Sequence, residues 1–242
     1  MSTLALKSIC APVAAAGTDA KRAAKPKRTN IIDVTYIPPA VARSKRLLDV
    51  ICAFAALVIM VLLFVPIALA IKLTSRGPIF YRQMRVGHAT ASATHLFYLI
   101  KFRTMRIDAE VNGAVWATKN DPRITAIGNF MRKTRLDELP QCINVLRGEM
   151  SVIGPRPERP SFFNKLEDAI PFYAERTYGL RPGITGLAQV NQAYDTSIED
   201  VRNKVLYDHA YAARLTNWWD WFVTDIGIIA KTFTVMVLGQ GQ

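Results

Sequence analysis

Residues 50–71 read VICAFAALVIMVLLFVPIALAI, and the fold turns on this stretch. It carries no charge over roughly 22 residues, and about 20 apolar residues are what a helix needs to cross a bilayer. A membrane segment follows. Arg43, Lys45 and Arg46 stand before it, and Lys72, Arg76, Arg82 and Arg85 stand after it. Basic flanks favour the cytoplasmic side, so both ends want the same side of the membrane. Pro66 removes a backbone hydrogen bond and clashes with the preceding turn. The pattern therefore predicts a re-entrant helix that breaks near Pro66 and returns to the side it came from. A mildly kinked transmembrane anchor is the alternative, since membrane helices tolerate proline.

The 242 residues have room for one or two domains, and half of them are hydrophobic. The formal net charge of +12 implies an anionic partner: nucleic acid, a phosphate-bearing substrate or acidic lipid. Cys10, Cys52 and Cys142 form no C-x-x-C pair, and His88, His95 and His209 show no metal-ligand spacing. Neither a zinc site nor a disulfide framework is indicated, which fits a reducing, cytosol-facing location. Residues 1–40, with a basic run from Lys21 to Arg28, read as a disordered tail that can meet anionic headgroups. The charges follow its weak apolar patch instead of preceding it, which is the wrong order for a signal peptide.

Downstream of the apolar run, in GPIFYRQMRVG (77–87), Gly77-Pro78 reads as a turn and Ile79 to Tyr81 as a short strand; LFYLIKFRTM (96–105) is a second strand-like run, and the two predict a small hairpin-like element. The basic residues ending the second strand, Lys101 and Arg103, either serve phosphate or guard a solvated edge. NDPRIT (120–125) supplies a turn, and an amphipathic helix then leads to Arg132.

In TRLDELPQCINVLRGEMSVIGPRP (134–157), Pro140 is tolerated only in a first turn, so a helix is expected to open at Asp137 or one residue either side. Leu139, Ile143 and Leu146 are its apolar stripe, and Gly148 its left-handed end. The first turn of a helix attracts anions, and here Asp137 and Glu138 sit among Arg132, Lys133, Arg135 and Arg156. Two anions among cations point to phosphate chemistry, while ordinary charge balancing of a helix end is the plainer account.

SVIGPRPERP (151–160) reads as a strand and a stiff loop, and residues 161–168 as a helix. In LRPGITG (180–186), Pro182-Gly183 favours a type II turn and Gly186 permits close backbone approach. A helix capped by Ser197 runs to about Leu215. The final stretch, NWWDWFVTDIGIIAKTFTVMVLG (217–239), is aromatic at its start. Asp225 and Lys231 each cost about 2.5 to 3.5 kcal/mol at a bilayer centre, so the helix is expected to lie in the headgroup layer, anchored by Trp218, Trp219, Trp221 and Phe222.

Seven motifs in order, KRLLDV (45–50), GPIFYRQMRVG, LIKFRTM, NDPRIT, RLDELPQ, GEMSVIGPRP and RPGITGLAQV, make the chain from Arg43 to Leu238 resemble the bacterial sugar transferases. These are monotopic phosphoglycosyl transferases that place a sugar phosphate on a polyprenyl phosphate. The resemblance implies an α+β, membrane-associated protein. Residues 1–40 would be the tail, 41–76 a re-entrant helix-break-helix, 77–216 a mostly helical cytosolic catalytic domain with a small β element, and 217–242 an amphipathic interfacial helix. It also implies the bacterial inner membrane, with the catalytic domain facing the cytoplasm.

The implied partners are a UDP-sugar donor, a polyprenyl (undecaprenyl) phosphate acceptor and membrane lipids, with Mg²⁺ as cofactor and no nucleic acid. Self-association, the sugar and the polysaccharide are left open. Asp137 matches the nucleophile and metal contact, and Glu138 its partner. Lys101, Arg103, Arg132, Arg156 and Arg181 match phosphate- or nucleotide-binding positions. HATASATH (88–95) departs from the family pattern, as does Val65 where some relatives carry serine before Pro66. Two competing readings are a membrane-bound nucleic-acid binder, for which no recognition module is present, and a silent scaffold for polysaccharide assembly.

Overall fold

Pro38 and Pro39 open the first helix, where a missing N–H is no loss, and α1 then runs from Pro39 to Thr74. Ala53, Met60 and Ile67 recur at heptad spacing. With Ile71 they are buried against Phe97, Phe102, Met131, Cys142, Val145 and Met150. The other side of α1 stays bare: Ile51, Phe54, Val61, Leu62, Val65 and Leu69 are each more than half exposed. Among the described residues α1 is the one helix long and apolar enough to cross a membrane. The break expected at Pro66 does not divide it, because α1 continues through that residue as a single element. Proline deletes only the bond its own nitrogen would donate, and buried residues on either side hold both halves to the same body.

The structure is a computed structural model that describes residues 36–90, 93–111, 113, 121–192 and 198–238. The expected tail as far as residue 35, Cys10, part of the 88–95 loop and the Ser197 cap lie outside them. All described residues belong to one compact unit.

The predicted hairpin is present. Strands β1 (Phe80–Ala89) and β2 (Thr94–Phe102) pair antiparallel, Phe80 opposite Phe102, with an irregular register between Val86 and Ala89. Phe64 of α1 stacks on Phe80 at 5.9 Å, and Phe80 on Phe102 at 5.3 Å, which fastens the hairpin to the long helix. Helix α2 (Ala126–Lys133) is capped by Thr125, whose hydroxyl accepts from the Gly128 N–H. Then follow α3 (Gln141–Arg147), β3 (Ser151–Ile153), α4 (Pro160–Ala169), β4 (Gly183–Thr185), α5 (Leu187–Asn191), α6 (Ile198–Arg214) and α7 (Trp218–Val237).

A second sheet was not foreseen from sequence. Strands β3 and β4 pair in parallel, Ser151 opposite Gly183 and Ile153 opposite Thr185. Pro182-Gly183 is therefore not a type II turn: Gly183 is extended into β4 and has no positive φ. Glycine is needed there for space, because a Cβ would lie 2.2 Å from the Gly154 nitrogen. This contact draws the GPRP loop and the RPGITG loop together on one side of the domain.

Helix α7 brings its acid inward and Trp221 with it: expected as a headgroup anchor, Trp221 is 2% exposed because its indole N–H is needed by the buried acid. Asp225 is fully buried and accepts from Lys45 Nζ of α1 (3.1 Å), Trp221 Nε1 (2.7 Å) and the Tyr211 hydroxyl (2.9 Å). Nearby, Asp49 of α1 accepts from the Ser151 hydroxyl and the Val152 N–H, both at 2.8 Å. Arg46 donates to the Val145 and Leu146 carbonyls at the end of α3. At its far end α1 is tied again, with Arg103 Nη2 donating to the Ser75 carbonyl (2.7 Å) and hydroxyl (2.9 Å).

Candidate active site

Arg135 adopts φ 55°, a left-handed conformation uncommon outside glycine, and so turns the chain sharply after α2. Residues Leu136–Glu138 then make a single 3₁₀ turn, and Pro140 caps α3, which starts only at Gln141. The expected helix opening at Asp137 is thus a separate tight turn, because the left-handed Arg135 and then Pro140 divide the segment. The end of α3 is as expected: Gly148 takes φ 80° and its N–H reaches the Asn144 and Val145 carbonyls.

The turn buries both carboxylates, each 6% exposed, in different surroundings. Glu138 is paired from three directions. Lys101 Nζ of β2 lies 3.2 Å from Oε1, Arg156 Nη2 of the GPRP loop 3.1 Å from the same oxygen, and Arg135 Nη1 3.4 Å from Oε2. Burial alone would raise the Glu138 carboxyl, but Lys101, Arg156 and Arg135 together hold it well below the usual carboxylate range. Asp137 accepts no hydrogen bond among the described residues. Burial pushes it up to about 6; the neighbouring Glu138 adds to this, and Lys101 opposes it. Burial also lowers the Lys101 ammonium.

Both carboxylates line a cavity of about 720 Å³ whose wall holds ten Lys and Arg side chains against four Asp and Glu. Of the residues singled out from sequence, Lys101, Arg103, Arg132 and Arg156 line this cavity with Asp137 and Glu138. Arg132 is aimed by its Nε bond to the Thr104 hydroxyl (3.0 Å). Arg103 keeps Nε and Nη1 buried without a partner among the described residues. Arg181 is not brought to the cavity: its side chain is exposed and its backbone carbonyl packs against Gly154.

Several lining residues were not picked out as site residues. Arg85, inside the GPIFYRQMRVG motif, points inward with its Nε unpartnered, and burial lowers it to about 10. Read from sequence, the first strand ends at Tyr81 and leaves Arg85 beyond it; the longer pairing of β1 with β2 is what carries Arg85 to the cavity wall. Glu110 accepts from both Arg159 (2.6 Å) and Tyr81 (2.9 Å) at the wall. Arg176 is buried outside the wall, pairs with Asp208 at 2.7 Å, and donates to the Arg156 carbonyl at 3.2 Å, so it steadies the loop that carries Arg156. No local signal in the sequence marks such a supporting residue.

Chemically, one carboxylate is neutralised and fixed while its neighbour is unpartnered, ionised near neutral pH and open to a cation-lined space. Such a group can attack a phosphoryl centre that the cations hold. No group of three or more His, Cys, Asp or Glu side chains is arranged to hold a metal among the described residues. Mg²⁺, however, is commonly bound through one or two carboxylates together with substrate phosphate and water, and the unpartnered Asp137 carboxylate fits that mode.

Residues 40–239 match the family model described as bacterial sugar transferase, so the match takes in α1. Among curated proteins, the chain is 39% identical over 203 residues to a UDP-N-acetylgalactosamine-undecaprenyl-phosphate N-acetylgalactosaminephosphotransferase of Aeromonas hydrophila, covering 84% of this chain and 46% of that protein. It is 41% identical over 200 residues to a UDP-glucose:undecaprenyl-phosphate glucose-1-phosphate transferase of Xanthomonas campestris pv. campestris, covering 81% and 39%. With the exopolysaccharide production protein ExoY of Rhizobium meliloti it shares 35% identity over 221 residues, 85% of this chain and 91% of that one. The chain thus spans less than half the length of the first two and nearly all of the third.

Proposed function

We propose a reaction for this chain from one premise: it belongs to the bacterial sugar transferase family. The reaction is transfer of a hexose 1-phosphate from a UDP-sugar to polyprenyl (undecaprenyl) phosphate, giving polyprenyl-diphosphate-sugar and UMP as a first membrane step of polysaccharide synthesis. The observation that carries it is the asymmetric pair of buried carboxylates, one saturated with cations and one unpartnered, in the wall of a basic cavity.

In the first step an Asp137 carboxylate oxygen attacks the β-phosphorus. The bond from that phosphorus to the bridging oxygen breaks, and UMP leaves with the electron pair. In the second step an oxygen of the polyprenyl phosphate attacks the same phosphorus and the bond to Asp137 breaks, restoring the carboxylate. Each step exchanges one phosphoryl–oxygen bond for another of similar kind, so no external energy source is needed. Lys101, Arg103, Arg132 and Arg156 neutralise the diphosphate so that an anionic nucleophile can approach it. Glu138 keeps Lys101 and Arg156 in place and stays ionised throughout. Asp137 would also hold Mg²⁺, which when bound supplies Lewis-acid withdrawal of charge from the phosphate oxygens.

The membrane placement supports the same reading. Lys45, Arg46 and Asp49 near the start of α1 and Ser75 just past its end are bonded to one globular body. A straight crossing would put those two ends on opposite sides of about 30 Å of hydrocarbon. A monotopic arrangement, with the bare face of α1 in one leaflet and the exposed Trp218, Trp219 and Phe222 of α7 at headgroup depth, keeps both ends on the cytoplasmic side of the inner membrane. It leaves the cavity reachable by a soluble nucleotide and by a lipid phosphate.

The test is incubation of the purified chain with polyprenyl phosphate, Mg²⁺ and a panel of labelled UDP-sugars. UMP release and a labelled adduct on Asp137 are expected. Accumulation of lipid product with no adduct under quenching that traps acyl phosphates would refute the aspartyl route.

A further inference from the structure

We propose that the Gln189 carboxamide is the group that selects the nucleobase of the donor, recognising the imide edge of a pyrimidine; this rests on the donor reading above. Among the described residues, both polar atoms of Gln189, Oε1 and Nε2, are buried without a hydrogen-bond partner. The residue stands in α5, in the wall of the same cavity as Asp137. A buried amide left wholly unpaired is unfavourable, so its retention asks for a ligand that completes it.

Gly186 precedes α5, and a Cβ there would lie 2.3 Å from the Gly154 carbonyl oxygen and 2.6 Å from Gln189 Oε1, so the carboxamide folds back over the start of the helix. Gln192 adds a second group: its Nε2 donates to the Asp200 carbonyl at 2.6 Å, which fixes the amide orientation and leaves its buried Oε1 unpartnered in the same wall. Around the two amides the wall carries Phe162, Leu166, Val201 and Val235 as well as the polar Asn191 and Lys204.

That mixture separates the parts of the donor. A hexose brings several hydroxyl groups and would leave most of them unpaired against apolar side chains. The diphosphate belongs with the cations at the Asp137 end. A flat pyrimidine buries two apolar faces and presents one edge of alternating acceptors and donor. An acceptor and donor side by side, which is what a carboxamide offers, pair with the N3–H and an adjacent carbonyl of uracil. Methylation of N3 removes the donor that the carboxamide oxygen would accept from.

The experiment is equilibrium binding of radiolabelled UMP, with N3-methyl-UMP and inorganic pyrophosphate as competitors, to the detergent-solubilised full chain and to Gln189→Met and Gln189→Glu. In the unaltered chain UMP should bind at least tenfold more tightly than N3-methyl-UMP. Each variant should lose about tenfold or more in UMP affinity and lose that discrimination, while its affinity for pyrophosphate stays the same. In turnover the loss should fall on KM for the UDP-sugar and not on kcat. UMP affinity and base discrimination unchanged in either folded variant would overturn the assignment while leaving the donor reading intact. If the unaltered chain binds UMP no better than pyrophosphate, the donor reading fails and the base assignment with it.

Discussion

The buried charges at the root of α1 and those in the cavity wall are built on opposite rules. At the junction of α1, β3 and α7, both Asp225 oxygens are occupied by Lys45, Tyr211 and Trp221, and Asp49 is held by Ser151 and Val152. In the cavity, by contrast, Asp137 accepts no hydrogen bond among the described residues, and Arg85, Arg103, Gln189 and Gln192 all keep buried polar atoms unpaired among them. Among the described residues the one other such atom is Nε of Arg176, immediately behind the cavity. Saturation costs little and stabilises a fold, whereas unmet hydrogen-bonding capacity is unfavourable until a ligand supplies the partners. The first cluster joins the membrane helix to the body, and the second is held ready for an anion and the group attached to it.

The sharpest way to separate the two rules is to neutralise one acid from each. Asp137→Asn should lower UMP release by 10³-fold or more, since an amide cannot serve as the nucleophile. The same change should stabilise the fold by roughly 1–3 kcal/mol, because the Asp137 carboxyl is raised from 3.8 to about 6 and its ionised form is penalised at pH 7. Thermal unfolding of the solubilised chain would read this, and a lower midpoint would contradict the contrast. Asp225→Ala should do the reverse. Removing one partner from a buried pair leaves Lys45 uncompensated and costs about 3–5 kcal/mol. UMP release per folded molecule should stay within a few-fold.

A pH profile sharpens the comparison further. Below about 6 the ionised fraction of Asp137 falls, so single-turnover UMP release should drop tenfold per pH unit as the solution is made more acid. Stability runs the other way for this residue. Its folded value lies above the unfolded one, so the destabilisation it causes develops as pH rises from about 4 to 6 and is absent below that window. Glu138 is shifted downward and cannot produce this limb. A rate that is flat from pH 7 to pH 5 would remove Asp137 as the group that must ionise.

How much of this was legible beforehand followed the range of the interactions. The apolar run, the hairpin, the Gly148 helix end and the residues flanking the cavity are written in local patterns of spacing, charge and turn chemistry, and they could be read directly. The parallel β3–β4 pair could not, since three residues on each side, about 30 positions apart, carry too little alternation to announce a partner. The same holds for Asp225. Read locally it is a charge in an apolar helix; only the fold shows that Lys45, 180 positions away, receives it. At Leu136–Glu138 the local reading singled out two carboxylates that both line the cavity but expected the wrong helix start, because a left-handed Arg135 is not a choice that sequence propensity favours.

Arg181 is where family resemblance and geometry part, and it gives the smallest expected effect. By motif it belongs with the phosphate-binding residues, yet its side chain is exposed and outside the cavity wall, while its backbone serves the close packing of β3 on β4. An exposed guanidinium without a buried partner contributes little through solvent, so Arg181→Ala should change kcat/KM for the UDP-sugar less than about threefold. The measurement should be repeated with polyprenyl phosphate as the varied substrate, because an exposed arginine near the membrane can meet a lipid phosphate that never enters the cavity. A loss of tenfold or more confined to the lipid substrate would extend the site from the unsaturated cavity to the domain surface. A loss confined to the nucleotide would mean that the cavity closes over Arg181 when the donor binds.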